Sequence, residues 1–265
     1  MKKKPIILVT NDDGIIAPGI RALVQVMNSL GEVYVVAPNK PKSGVGHAIT
    51  MDTVLYCDSV QIDNGCQKEW ECSGTPVDCV KLAISNILPR KPDICVSGIN
   101  HGSNSSINIM YSGTISAVIE AGIEGIPSVG FSLLDFDWNA DFEPSKKYVC
   151  KIVKTILYNP ISKGCISLNV NIPKKKIKGI KICRQAEAKW KESFDKRCNP
   201  KGRTYYWLIG DFINFDKKSD TDEWALKNGY VSIVPIKFDL TDYPILNILR
   251  AWNFILLFIC LDPIL

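Results

Sequence analysis

Residues 6–14 read Ile6-Ile7-Leu8-Val9-Thr10-Asn11-Asp12-Asp13-Gly14: an uninterrupted run of aliphatic, mostly β-branched residues that ends abruptly in two carboxylates and a glycine. A strand covered by helices on both faces has no solvent side, so its residues need not alternate with polar ones. Ile6 to Thr10 fits that description. The segment that follows, Ile20 to Leu30, carries Ile20, Leu23, Val24, Met27 and Leu30 at helical spacing, with Gly31 placed to end the helix. Val33 to Ala37 is a second buried-strand pattern. Strand, helix, strand at this spacing is the βαβ unit of a parallel sheet.

The alternation continues downstream. Thr53 to Cys72 reads as an excursion of short strands turning at Asp63-Asn64-Gly65. Thr75 to Leu88 is helical, Asp93 to Ser97 strand, Gly113 to Gly122 helix, Pro127 to Phe131 strand, Pro144 to Leu157 helix and Cys165 to Val170 strand. The fold class predicted is α/β, a Rossmann-like, mostly parallel sheet flanked by helices. After Pro173 the pattern changes: Ile177 to Arg184 and Thr204 to Gly210 are strands richer in Lys, Arg, Tyr and Trp, followed by a short helix over Thr221 to Leu226 and a last strand over Tyr230 to Pro235. The division is a catalytic core over 1–173, a β-rich extension over 174–243, and an apolar tail over 244–265.

Composition narrows the function classes. The 265 residues carry a net charge of +5, but the basic residues are dispersed in short clusters such as Lys2 to Lys4, Lys174 to Lys176, and Lys217 with Lys218. Nucleic-acid binders gather such charge on one face with aromatics between, so a small anionic ligand is expected rather than a polymer. Ten cysteines contain no C-x-x-C pair, and several sit inside apolar runs as small hydrophobes do. The short apolar run Ile6 to Val9 cannot serve as a signal-peptide core, and reduced thiols in the cytoplasm are the expectation. Ile245 to Leu265 is largely apolar but broken by Arg250, Asn253, Asp262 and Pro263, which predicts a docking helix or interface segment and argues against a membrane span.

Ligands of open parallel sheets bind beyond the carboxyl ends of the strands. Three polar segments follow buried strands here: Asn11-Asp12-Asp13-Gly14, Pro38 through Ser43-Gly44, and Gly98-Ile99-Asn100-His101-Gly102-Ser103-Asn104. Adjacent carboxylates repel unless a positive charge joins them. An Asp-Asp-Gly alone is ordinarily a turn ahead of a helix; three such ends on one rim point instead to a cation. Asp12, Asp13, Ser43 and Asn100 make an all-oxygen set, which selects one hard divalent ion such as Mg²⁺ or Mn²⁺, with Ca²⁺ able to occupy the site. With two histidines in the chain and no cysteine pair, zinc is disfavoured. Tyr111-Ser112-Gly113-Thr114 precedes a helix, and its free N–H groups at the positive end of the helix suit a phosphate.

Together these segments resemble the survival protein SurE nucleotidases. The resemblance rests on Val9 to Gly14, Val36-Ala37-Pro38 with Ser43-Gly44 and Ile49-Thr50, and Ser73-Gly74-Thr75-Pro76. It continues in Ser97 to Asn100 with Gly102 and Asn104, Tyr111 to Thr114 with Glu120, and Thr221-Asp222 with Gly229 to Ser232. It implies a metal held by Asp12, Asp13, Ser43 and Asn100, one ion per subunit, and hydrolysis of nucleoside 5′- or 3′-monophosphates. It also implies that the segment after Pro173 exchanges between subunits of a homodimer or homotetramer. Within that reading Asp12 or Asp13 takes a proton from water, and Asn100, Asn104, Ser112, Gly113 and Thr114 contact the phosphate; attack by an aspartate itself is the variant. His47 and His101 are expected to be loop residues rather than catalysts. Asn108 stands where an acidic residue is usual in the family, and the chain beyond Tyr243 departs from the family ending. Two rivals remain. A haloacid-dehalogenase-like phosphatase requires D-x-D, which Asn11-Asp12-Asp13 does not supply; a non-catalytic nucleotide- or metal-binding module requires only the fold.

Overall fold

The structure is a computed structural model that describes residues 4–159, 166–174 and 176–252. In chain order it runs β1 (Ile6–Thr10), α1 (Pro18–Met27), β2 (Glu32–Pro38), β3 (Cys57–Val60), β4 (Lys68–Cys72), α2 (Pro76–Leu82), β5 (Ile94–His101), α3 (Gly113–Ile123), β6 (Ser128–Leu133) and α4 (Glu143–Tyr158). It continues with β7 (Ser167–Ile172), β8 (Gly179–Ile182), β9 (Ala188–Cys198), β10 (Thr204–Asn214), α5 (Asp222–Lys227), β11 (Tyr230–Pro235) and α6 (Tyr243–Arg250). The expected start of β7 at Cys165 lies outside the described residues.

Nine strands form one sheet in the order β3-β4-β2-β1-β5-β6-β7-β11-β8. β4, β2, β1, β5, β6 and β7 run parallel, whereas β3 is antiparallel at one edge and β11 pairs antiparallel with β7 near the other. β1 sits between β2 and β5, with Ile7 to Thr10 in register with Ile94 to Ser97. Chain order therefore reverses direction across β1. That is the switch point at which open α/β sheets leave a crevice beyond the strand ends.

The two faces of β1 explain its unbroken apolar sequence. Ile7 and Val9 enter the core beneath α1 and α4 with Leu23, Met27, Val149 and Val153. Leu8 points to the opposite face, where it meets Val80, Cys95, Ala117 and Ala121 under α2 and α3. Cys72, Cys79 and Cys95 are fully buried in that second core, and the eight described cysteines are all unpaired. Several helix starts carry a side-chain cap. Thr75 and Asp78 form a reciprocal capping box on α2, Ser112 caps α3 through Ile115 N, and Thr221 caps α5.

The segment after Pro173 contributes in two ways. β8 and β11 extend the main sheet, whereas β9 and β10 form a separate antiparallel hairpin, in register from Ala188↔Asn214 to Cys198↔Thr204. β9 is a strand that periodicity does not reveal. Its sequence AKWKESFDKRC is exposed at most positions, so no buried face imposes an alternation. α6 falls within the expected apolar tail and buries none of its residues. Residues 253–265, the rest of that tail, lie outside the described residues. No described helix is long and apolar enough to cross a membrane.

Candidate active site

The turn after β1 is built by its own polar side chains. Asn11, itself buried, donates from Nδ2 to Gly14 O at 2.9 Å, and Ile15 N donates to Pro38 O at 2.8 Å, joining the ends of β1 and β2. Gly14 adopts φ +100°, a left-handed conformation in which a side chain is strained. Lys42 N then donates to Asp12 O at 2.7 Å. That bond draws the loop after β2 across the mouth of the crevice and puts Ser43, the next residue, on its exposed turn.

Asp12 is 3% exposed. Its Oδ1 accepts a hydrogen bond from the Thr114 hydroxyl, and the first turn of α3 presses against it: a Cβ built on Gly113 would lie 2.7 Å from Asp12 Cβ. Burial first, and then the neighbouring charge of Asp13, push the Asp12 carboxyl up from 3.8 to about 6, against the lowering effect of the Thr114 bond. Asp13 is only partly buried and accepts from His101 N at 3.2 Å; burial raises its carboxyl as well.

Asn100 reaches the same rim from β5, where the pairing with β6 slips between Ser97 and Asn100 and the Gly98–Ile99 peptide is cis. Its Nδ2 is held by Gly102 O at 2.9 Å, so the amide oxygen remains as the group able to meet a cation. The structure thus brings Asp12, Asp13, Asn100 and the Ser43 turn to one mouth. Nearby, Thr10 Oγ1, Asn11 Oδ1 and Ser97 Oγ are buried with no hydrogen-bond partner among the described residues. Two carboxylates raised by burial, surrounded by neutral oxygens, fit a hard cation. Among the described residues no group of three or more His, Cys, Asp and Glu side chains is placed to hold a metal, so this set would consist of two carboxylates completed by neutral oxygens.

The expected phosphate contacts are placed less openly. The Ser112 hydroxyl accepts from Ile115 N at 3.1 Å as a helix cap, and Thr114 is fully buried with its hydroxyl directed to Asp12. Asn104 is buried and held on every side: its N donates to Asn171 Oδ1 at 2.8 Å, its Nδ2 to Ser132 Oγ at 2.8 Å, and its O accepts from Asn169 Nδ2 at 2.8 Å. The sequence reading singled out neither Asn169 nor Asn171. Their signal was present, because two asparagines two positions apart at the end of a buried strand share one face and must find polar partners there.

Both histidines are tied down; His47 sits in a loop, whereas His101 is the last residue of β5 rather than the loop residue expected. His47 Nε2 lies 2.9 Å from the buried carboxylate of Glu120, which also pairs with Lys81 at 2.5 Å. His101 donates from Nδ1 to Asp137 O at 2.8 Å and stacks on Trp138, with ring centroids 5.7 Å apart. Asn108 accepts from Trp190 Nε1 at 2.8 Å and so fastens β9 to the loop ahead of α3.

Thr221-Asp222 has a structural role. The fully buried Asp222 accepts from Ser106 N at 2.8 Å, Ala186 N at 2.9 Å and Glu223 N at 2.8 Å, pinning the segment after Pro173 to the loop that carries Asn104. Asp222→Ala strands two buried N–H groups and one part-buried one and is expected to lower stability by about 3 kcal/mol. A urea unfolding midpoint reads this; an unchanged midpoint refutes the clamp.

Comparison with known proteins identifies the relatives of this chain. The family model described as survival protein SurE matches residues 7–192. The chain is 62% identical over 256 residues to the 5′-nucleotidase SurE of Christiangramia forsetii, covering 95% of this chain and 98% of that one. It is 61% identical over 254 residues to the 5′-nucleotidase SurE of Flavobacterium johnsoniae, with the same two coverages. The crystal structure of the SurE protein from Aquifex aeolicus superposes with a TM-score of 0.79 at 41% identity, covering 94% of this chain and 99% of that one. With the carboxylate pair, the Asn100 bulge and the Ser112-Gly113-Thr114 helix start meeting at the switch point, and relatives matched over nearly its full length, the chain belongs to the SurE family.

Proposed function

We propose that this chain is a metal-dependent 5′-nucleotidase, acting on 3′-monophosphates as well, which releases inorganic phosphate from nucleoside monophosphates. The observation that carries the reading is Asp12, a buried carboxylate pressed against the start of α3 with a second carboxylate beside it. Such a pair is costly unless a cation neutralises it. Asp12, Asp13, Asn100 and Ser43 would hold that ion, Mg²⁺ or Mn²⁺ by the hardness of the donors. When bound, the ion supplies charge neutralisation at the phosphoryl group and acidifies a water.

The chain's own residues do the rest. Thr114 fixes the Asp12 carboxylate through its hydroxyl. The N-terminal turn of α3 adds the positive end of a helix to the phosphate's surroundings. Asp12 is largely buried and tied to Thr114, which favours the more open Asp13 as the group that accepts a proton from the attacking water. Asn104, tied to Asn169, Asn171 and Ser132, holds the loop after β5 against the ends of β6 and β7. Oligomers of two or four subunits are supported by the large side chains that β10 and α6 leave in solvent, among them Tyr206, Trp207, Leu208, Ile245 and Ile248. The cytoplasm remains the expected compartment.

The deciding experiment is phosphate release from AMP and GMP by the purified chain, before and after EDTA. Turnover lost with the chelator and restored by Mn²⁺ or Mg²⁺ supports the reading. Tight nucleotide binding with no phosphate released under any metal would leave only a binding module.

A further inference from the structure

Two large aromatic rings stand in solvent beside the mouth of the crevice. Phe136 is 82% exposed and Trp138 is 50% exposed, both on the loop between β6 and α4. Isolated exposed aromatics need no explanation, but this pair is attached to the residues of the site. Trp138 lies parallel to the His101 ring, 8° between planes, and His101 N is the group that donates to Asp13. Phe136 lies on Gly102: a Cβ there would fall 2.3 Å from Phe136 Cε1, and the carbonyl of the same glycine anchors the Asn100 amide. Each ring is therefore one residue removed from a group expected to hold the cation.

The loop that presents them is braced. Leu134 N donates to Ile172 O at 2.9 Å, Asp135 pairs with Lys174 at 2.9 Å, and Asp137 O receives the His101 Nδ1 bond at 2.8 Å. Asn139 N donates to Asp137 Oδ1 at 2.9 Å, closing the turn behind Trp138. Apolar rings held rigidly in water beside a phosphate site have a natural occupant in the remainder of the substrate. Every nucleobase offers a flat π-face, and stacking on aromatic side chains tolerates different bases.

We infer that Phe136 and Trp138 form the platform on which the nucleobase of the substrate rests, so that this site selects nucleotides over baseless sugar phosphates. The inference rests on the nucleotidase reading given above. It also states where selectivity arises: the base is gripped by its face, which favours nucleoside monophosphates generally rather than one base.

The test is kcat/KM for AMP, for GMP and for ribose 5-phosphate, which keeps the sugar and phosphate but lacks the base. These are measured on the wild type and on Phe136→Ala, Trp138→Ala and Tyr111→Ala, the last removing a half-exposed ring next to Ser112. The ratio of nucleotide to ribose 5-phosphate is expected to fall about tenfold in Phe136→Ala and in Trp138→Ala, chiefly through KM, and to hold in Tyr111→Ala. A ratio unchanged in both loop variants, or one that falls only in Tyr111→Ala, overturns the platform while leaving the nucleotidase reading intact. A wild type that hydrolyses none of the three overturns both.

Discussion

Asp12→Asn is expected to lower phosphate release by at least about a thousandfold while making the metal-free protein more stable. The activity loss follows from removing one of two adjacent charges that hold the cation, a loss of electrostatic stabilisation where the transition state gathers charge. The gain in stability follows from burial. The Asp12 carboxyl is pushed up from 3.8 to about 6, chiefly by burial and then by Asp13. An acid whose folded value is raised binds its proton more tightly in the folded chain. Stability therefore falls as pH rises from about 4 to about 6, and a cost of about 3 kcal/mol persists above that range.

The asparagine is uncharged and can still accept the Thr114 hydroxyl through its amide oxygen. Unfolding of wild type and variant from about pH 4 to about pH 8 in EDTA reads this group as the difference between the two proteins, because Asp222 and Glu223, also raised by burial, are common to both. The advantage of the variant is expected to grow with pH and to shrink when Mn²⁺ is added, because only the wild type gains from the ion. A variant less stable than the wild type at every pH, with turnover retained, contradicts both halves.

How much of this could be read from the chain alone differs by element. β1 was legible because burial on both faces leaves an unbroken aliphatic run, and its end was legible because two carboxylates cannot follow such a run without consequence. The convergence of Asp12, Asp13, the Ser43 turn and Asn100 followed from the rule for strand ends, without any contact being known. What side chains do after arriving was not legible. Ser112 and Thr114 look alike as helix-start residues, yet one caps its own helix and the other clamps a carboxylate a hundred residues away in sequence. Asn169 and Asn171 carried a period-two signal whose partners depend on the packing of β6 and β7. β9 carried none, because a hairpin standing away from the core leaves no apolar stripe in sequence. The family resemblance supplied Thr221-Asp222 as a motif, but its use as a three-bond clamp emerges only from the fold.

Gly113→Ala tests the geometry of the site rather than its charge, and kcat is expected to fall about a hundredfold. The added methyl would lie 2.7 Å from Asp12 Cβ and 3.0 Å from Asp12 Oδ2, so either α3 or the carboxylate must move. α3 is held by the Ser112 cap and by Thr114, Ile115, Ala117 and Val118, all fully buried, which leaves the Asp12 side chain as the softer partner. Displacement of a site group by about 1 Å is enough for a hundredfold loss. Alanine is the better helix former, so the helix itself does not suffer from the exchange. The two effects separate cleanly: kcat should fall and the Mn²⁺ needed for half-maximal activity should rise, while far-ultraviolet circular dichroism stays that of the wild type. Ala117→Gly, a change of similar size one turn further along α3 and away from Asp12, serves as the comparison. It should weaken the helix without altering the Mn²⁺ requirement. If Gly113→Ala leaves kcat and the metal requirement unchanged, the close approach of α3 to Asp12 has no part in holding the carboxylate, and the site must be organised from the β2 and β5 loops alone.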